Sequence, residues 1–125
     1  MSETTPHILI IEDLKMSQVI LERHLRKLNP RFQIDVAESG TFALELFREK
    51  HHQLIFLDIQ LPRIDGFALL KRLRELEQEK TSIIAYTAIA GNHEYQQFIN
   101  AGFTDYLPKP VKRAALEQIL AVYRS

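Results

Sequence analysis

At 125 residues with 46% hydrophobic content, the chain is long enough to bury one real core and is expected to be a single domain over residues 1–125. Its 16 basic and 16 acidic residues balance, which leaves no electrostatic footprint for a polyanion or an anionic membrane surface, so no direct nucleic-acid partner is expected. The absence of cysteine excludes disulfide staples and thiolate metal sites; the opening Met-Ser-Glu-Thr-Thr-Pro lacks a signal-peptide pattern and no apolar run reaches spanning length, so a cytoplasmic protein without membrane insertion is expected.

Short apolar runs alternate with longer amphipathic stretches, the pattern of a parallel sheet covered by helices on both faces, and five such pairs fit the chain. The first strand is predicted at His7 to Ile11, and a helix follows from about Ser17 to Leu28, with Val19, Ile20, Leu25 and Leu28 as its apolar stripe. Asn29-Pro30 stops it. Gln33 to Ala37 reads as a weaker second strand, and Ala43, Leu46 and Phe47 mark the buried stripe of the next helix. Leu54 to Leu57 is an uninterrupted apolar strand, followed by a turn through Pro62 and Gly66 and a helix with Leu69, Leu70, Leu73 and Leu76 on one face. The fourth strand spans Ser82 to Tyr86, and the short helix after it holds Tyr95, Phe98 and Ile99 and ends at Ala101-Gly102, with glycine as C-cap. Asp105 to Leu107 is the last strand, and Leu116, Ile119, Leu120 and Tyr123 have the spacing of a closing helix. No repeat, low-complexity tract or interdomain linker interrupts the pattern.

In an open α/β sheet the ligand site lies beyond the carboxyl ends of the strands, where the strand order reverses. Reading past each apolar strand gives Glu12 and Asp13 after the first, Asp58 after the third, Thr87 after the fourth and Lys109 just past the fifth. Three carboxylates, a hydroxyl and an ammonium thus meet on one rim. Mg²⁺ takes one or two protein carboxylates together with water and phosphate oxygens, so the acidic group is a metal cradle, with Asp13 expected to sit deeper than Glu12 and to ligate directly. Lys109 and Thr87 would face an anion. Asp58 follows the uninterrupted strand immediately, and a carboxylate is a nucleophile that needs no general base at neutral pH. Phosphoryl transfer asks mainly for positioning and charge neutralisation, which one divalent ion and one ammonium supply. Asp65-Gly66 reads as turn and helix-start chemistry, Arg23, Arg26, Lys27 and Arg31 as a solvated helix face, and the five histidines are scattered, so no zinc site is expected.

The segment Asp58-Ile-Gln-Leu-Pro-Arg-Ile-Asp-Gly66 resembles the phosphoacceptor loop of response regulator receivers, Glu12-Asp13 their acidic pair, Thr87-Ala88 their hydroxyl position, and Lys109-Pro110-Val111 their lysine-proline element. Together the four cover essentially the whole chain. The resemblance implies a flavodoxin-like, doubly wound five-stranded parallel sheet of order 2-1-3-4-5 with five helices. It also implies Mg²⁺-dependent phosphorylation of Asp58 by a histidine kinase or histidine phosphotransfer domain, and output to a downstream effector through the fourth helix, fifth strand and fifth helix. By the same carry-over Gln60 completes the Mg²⁺ site through its carbonyl, the Ala88 amide holds the phosphoryl group, Thr87 and Tyr106 form the switch, and the Lys109-Pro110 peptide is cis. On its own pattern Tyr106 reads as a half-buried strand aromatic.

Three positions depart from the commonest pattern: Glu12 stands where aspartate is more usual, Leu14 where a polar residue is frequent, and Ile64 replaces methionine. The Glu-Asp pair is similar to receivers attached to hybrid histidine kinases. A signalling module that catalyses its own phosphorylation and dephosphorylation is therefore expected rather than a metabolic enzyme. One alternative is a phosphatase or phosphotransferase of the haloacid dehalogenase type, which resembles Asp-x-Asp where this chain has Gln60; the other is an interaction module whose acidic pocket takes no phosphate.

Overall fold

In a computed structural model, which describes residues 5–61, 64–88 and 92–123, five strands alternate with five helices in chain order. They are β1 (His7–Ile11), α1 (Lys15–Leu28), β2 (Gln33–Ala37), α2 (Gly40–Lys50), β3 (Leu54–Asp58), α3 (Gly66–Leu76), β4 (Ser82–Thr87), α4 (Asn92–Ala101), β5 (Asp105–Pro108) and α5 (Arg113–Leu120). A 3₁₀ turn, Ala121–Tyr123, ends α5. The expected turn residue Pro62, the first four residues and the Tyr123 side chain lie outside the described residues.

All strand pairs are parallel and the sheet order is β2-β1-β3-β4-β5, the order the resemblance implied. Alternation along each central strand explains the uninterrupted apolar runs: Ile8, Ile10, Leu54, Phe56, Ile84 and Tyr86 enter one core, while Leu9, Ile11, Ile55, Leu57, Ile83 and Ala85 enter the other. The first core is covered by Leu21 and Leu25 of α1 and Leu116, Ile119 and Leu120 of α5; the second by Phe47 of α2, Leu69, Leu70 and Leu73 of α3, and Phe98 of α4. Strand order reverses between β1 and β3, and their carboxyl ends therefore open onto a crevice.

The inward face of α1 differs from the expected one. Gln18, Leu21 and Leu25 are buried, whereas Val19 and Ile20 lie exposed. Gln18 hides the true register because it is polar, yet it is accommodated inside: its Nε2 donates to the Glu12 carbonyl at 2.7 Å. The α3 start behaves as expected, with the Asp65 side chain accepting from the Phe67 amide at 3.1 Å, and Gly102 stands at positive φ after α4.

Gly66 packs against the backbone of the β3–α3 loop. A Cβ built there would lie 2.5 Å from Ile59 Cα and 3.0 Å from its carbonyl oxygen. Gly66→Ala is expected to lower stability by about 1–3 kcal/mol, the usual cost of overpacking, in spite of alanine's better helix propensity. Urea denaturation measures it, and an unchanged midpoint would mean that the loop yields freely.

Candidate functional site

Residues from the ends of four strands converge beyond the sheet's carboxyl edge. Asp58 closes β3 and is buried, with its Oδ1 accepting from the Gln60 amide at 2.9 Å, so the turn after the strand fixes the carboxylate's rotation. Glu12 and Asp13 follow β1, and one carboxylate oxygen of each lies within 4.8 Å of the others and of Asp58. The depth of the acidic pair is the reverse of the expected one: Glu12 is 0% exposed, while Asp13 is half-buried. The cause is the backbone. The Glu12 amide donates to the Ala37 carbonyl of β2 at 3.0 Å, and the Leu14 amide donates to Glu12 Oε2 at 3.0 Å, which together turn the side chain inward.

Lys109 supplies the counter-charge. Its Nζ lies 2.7 Å from Glu12 Oε1 and 3.5 Å from Asp58 Oδ2, and it sits 4.6 Å from the centroid of the Tyr86 ring. The Lys109 amide donates to the Thr87 carbonyl at 2.8 Å, and the Lys109-Pro110 peptide is cis. Burial pushes the Glu12 carboxyl above its ordinary value and the Asp58 charge adds to the rise, against the hydrogen bond from Lys109. Burial also raises the Tyr86 hydroxyl, with the Glu12 and Asp58 charges behind it, so the ring stays a neutral wall. Neither Tyr86 nor Gln18 was singled out as a site residue in the sequence; Tyr86 reads there as the end of a strand.

Thr87 ends β4 fully buried, and Ala88 after it is exposed. Tyr106 is half-buried, with its ring 5.2 Å from that of Tyr95 and 5.9 Å from that of Phe98, so it belongs to the α4–β5 surface. The carboxylate trio suits a hard cation: three oxygens from three side chains, partly buried, matches Mg²⁺ or Ca²⁺ chemistry and offers no soft donor.

Beside this rim the exposed part of α1 forms an apolar cleft of about 610 Å³, lined by Leu14, Met16, Ile20, Tyr86, Lys109 and Val111 among others. Met16 is 74% exposed. A second group also escaped the sequence: His7, Asp35 and His52 come together, contrary to the expectation that the histidines are scattered.

The profile of the response regulator receiver domain matches residues 8–121. The osmosensing histidine protein kinase SLN1 of Saccharomyces cerevisiae is 30% identical over 98% of the chain, which spans only 10% of that kinase's length. Among solved structures, the receiver domain of a sensor histidine kinase from Pseudomonas aeruginosa, with a magnesium ion coordinated in its active-site cleft, superposes at TM-score 0.79 with 30% identity, covering 96% of this chain and 98% of that one. The receiver domain of a Saccharomyces cerevisiae downstream response regulator, solved with the histidine phosphotransfer signalling protein, superposes at TM-score 0.83 with 28% identity, covering 99% and 92%.

Proposed function

The chain belongs to the response regulator receiver family of two-component and phosphorelay signalling, and we propose that Asp58 is its phosphoacceptor, that Glu12, Asp13, Asp58 and the Gln60 carbonyl hold Mg²⁺, and that Thr87, Ala88 and Lys109 hold the phosphoryl group. The observation that carries this reading is the Asp58 carboxylate, pinned through Oδ1 to the Gln60 amide and facing Lys109 through Oδ2. Oδ2 attacks phosphorus as the P–N bond of a phosphohistidine breaks, and the departing imidazole takes a proton. Mg²⁺, when bound, neutralises the phosphoryl oxygens. Lys109 shares its charge between Glu12 and the new phosphoryl group, Thr87 offers its hydroxyl, and Ala88 its amide. The altered position of Thr87 is passed to Tyr106, which biases an existing two-state equilibrium of the α4–β5–α5 surface toward a downstream effector. Self-catalysed dephosphorylation completes the cycle.

Incubation with Mg²⁺ and a small acyl phosphate is expected to give one alkali-labile adduct by intact mass. No adduct from any small donor would overturn the acceptor reading.

For the metal, Asp13→Asn is expected to weaken Mg²⁺ by at least about tenfold, since even outer-shell changes cost roughly 10–100-fold. Glu12→Gln should cost less, because Lys109 and the Leu14 amide already engage both of its oxygens. Titration calorimetry ranks the two. The reverse order would make Glu12 the principal ligand.

The phosphodonor is a histidine kinase or histidine phosphotransfer domain, and its docking face is the apolar α1 cleft, which adjoins Lys109. Ile20→Glu is expected to slow transfer from a phosphohistidine protein by at least about tenfold, the size of a modest interface hot spot, and to leave transfer from a small acyl phosphate unchanged. Equal slowing with both donors would place the effect in the site and not in docking. No helix among the described residues is long and apolar enough to cross a membrane, and residues 1–125 are read as one cytoplasmic receiver domain.

A further inference from the structure

At the end of the sheet opposite Asp58, Asp35 Oδ2 receives two imidazoles: His7 Nε2 at 2.9 Å and His52 Nε2 at 2.8 Å. Register explains the meeting. His7 opens β1 opposite Gln33, so Asp35, two residues further along β2, lies on the same sheet face, and His52 enters from the turn between α2 and β3. The His52 side chain is 0% exposed and packs against the rings of His7 and Phe47, with centroids 4.5 and 6.2 Å away. Its Nδ1 is buried without a hydrogen-bond partner among the described residues, so the Nε2 edge is the sole polar anchor of a fully buried ring. His7 and Asp35 each keep about a fifth of their side-chain surface open, which leaves an approach from solvent.

We propose that His7, Asp35 and His52 bind a late first-row divalent metal ion of the Zn²⁺ class. Bonds of 2.0–2.1 Å in tetrahedral geometry set ligand atoms about 3.3 Å apart. The two N···O distances here are shorter than that by about half an ångström, so the ion takes the place of the two bridging protons with small side-chain adjustments. Each imidazole binds as the neutral ring, its single proton moving from Nε2 to Nδ1 as Nε2 takes the ion. Lys50 Nζ, 3.4 Å from Asp35 Oδ1, holds the outer carboxylate oxygen and leaves Oδ2 to the metal. Two nitrogen donors with one oxygen disfavour Mg²⁺ and Ca²⁺ and favour Zn²⁺, Ni²⁺ or Cu²⁺. The site is thereby distinct in chemistry, as well as in place, from the carboxylate trio of Glu12, Asp13 and Asp58.

The test is Zn²⁺ titration of the full chain by calorimetry, with Mg²⁺ in large excess and in both the wild-type and Asp13→Asn backgrounds. One Zn²⁺ per chain is expected in each, with the imidazole resonances of His7 and His52 shifting and those of the remaining histidines unmoved. His7→Gln and Asp35→Asn should lose that binding and the accompanying Zn²⁺-dependent rise in melting temperature. His7→Gln changes a partly exposed strand start, and a melting curve verifies its fold. If either variant fails to fold, the wild-type imidazole resonances decide. A Zn²⁺ ion that binds both variants as tightly as wild type, that vanishes in Asp13→Asn, or that leaves the His7 and His52 resonances unmoved would overturn the proposal and leave a hydrogen-bonded triad only.

Discussion

Asp58→Asn is expected to abolish the alkali-labile phosphoryl adduct altogether while leaving a folded chain with a higher denaturation midpoint at neutral pH. The amide is not ionised and is no nucleophile toward phosphorus, so the chemical loss is complete. The fold survives because the replacement is nearly isosteric and still offers the Gln60 amide an acceptor at the Oδ1 position. Stability rises because the Asp58 charge is one of the causes that push the buried Glu12 carboxyl upward, and Lys109 already lies closer to Glu12. Intact mass after exposure to an acyl phosphate reads the first effect and urea denaturation the second. An adduct at wild-type yield would place the nucleophile elsewhere; a lower midpoint would mean that Asp58 contributes more to holding Lys109 than it costs in repulsion.

Lys109→Met is expected to lower stability at neutral pH by about 3 kcal/mol, because removing one partner of a buried pair strands the other charge. Methionine keeps most of the packing over the Tyr86 ring, so the loss reports charge more than volume. Its pH dependence has a definite sign. Glu12 has a folded-state value above its ordinary 4.5, so the folded chain holds that proton to higher pH than the unfolded one, and stability falls as pH rises through the interval. The Lys109 hydrogen bond limits that rise, and without it the interval widens upward. The deficit of the variant should therefore be small below pH 4.5 and should open as pH increases to neutrality. Paired urea melts across that range test it. A deficit of constant size would show that packing, and not the Glu12 charge, carries the effect.

The central strands β1, β3 and β4 were legible because burial on both faces keeps polar residues out of their middles, and reading to the ends of four runs gave Glu12, Asp58, Thr87 and Lys109, which lie on one rim. Sheet order was not legible from the runs themselves: periodicity says which residues are buried, not which strand lies next to which, and the order came from the resemblance. What escaped depended on single tertiary hydrogen bonds. Gln18 turns inward because the Glu12 carbonyl receives it, which rotates α1 and leaves Val19 and Ile20 outside. Glu12 goes deeper than Asp13 because its two oxygens are met by Lys109 and the Leu14 amide, neither of which the local pattern reveals. His7, Asp35 and His52 lie far apart in the chain, and only the pairing of β1 with β2 on one side and with β3 on the other gathers them.

The bond between Lys109 and Glu12 joins residues 97 apart in a chain of 125. A nascent or truncated chain that contains Asp58 but has not yet docked β5 carries the proposed acceptor without the Lys109 ammonium beside it. Closing so long a loop is expected to come late in folding, since its entropy must be lost before any such pairing is rewarded. On the proposed assignment of Asp58, responsiveness to a phosphodonor is thereby tied to the docking of β5, and a copy in which Lys109 has not reached Glu12 is expected to stay silent.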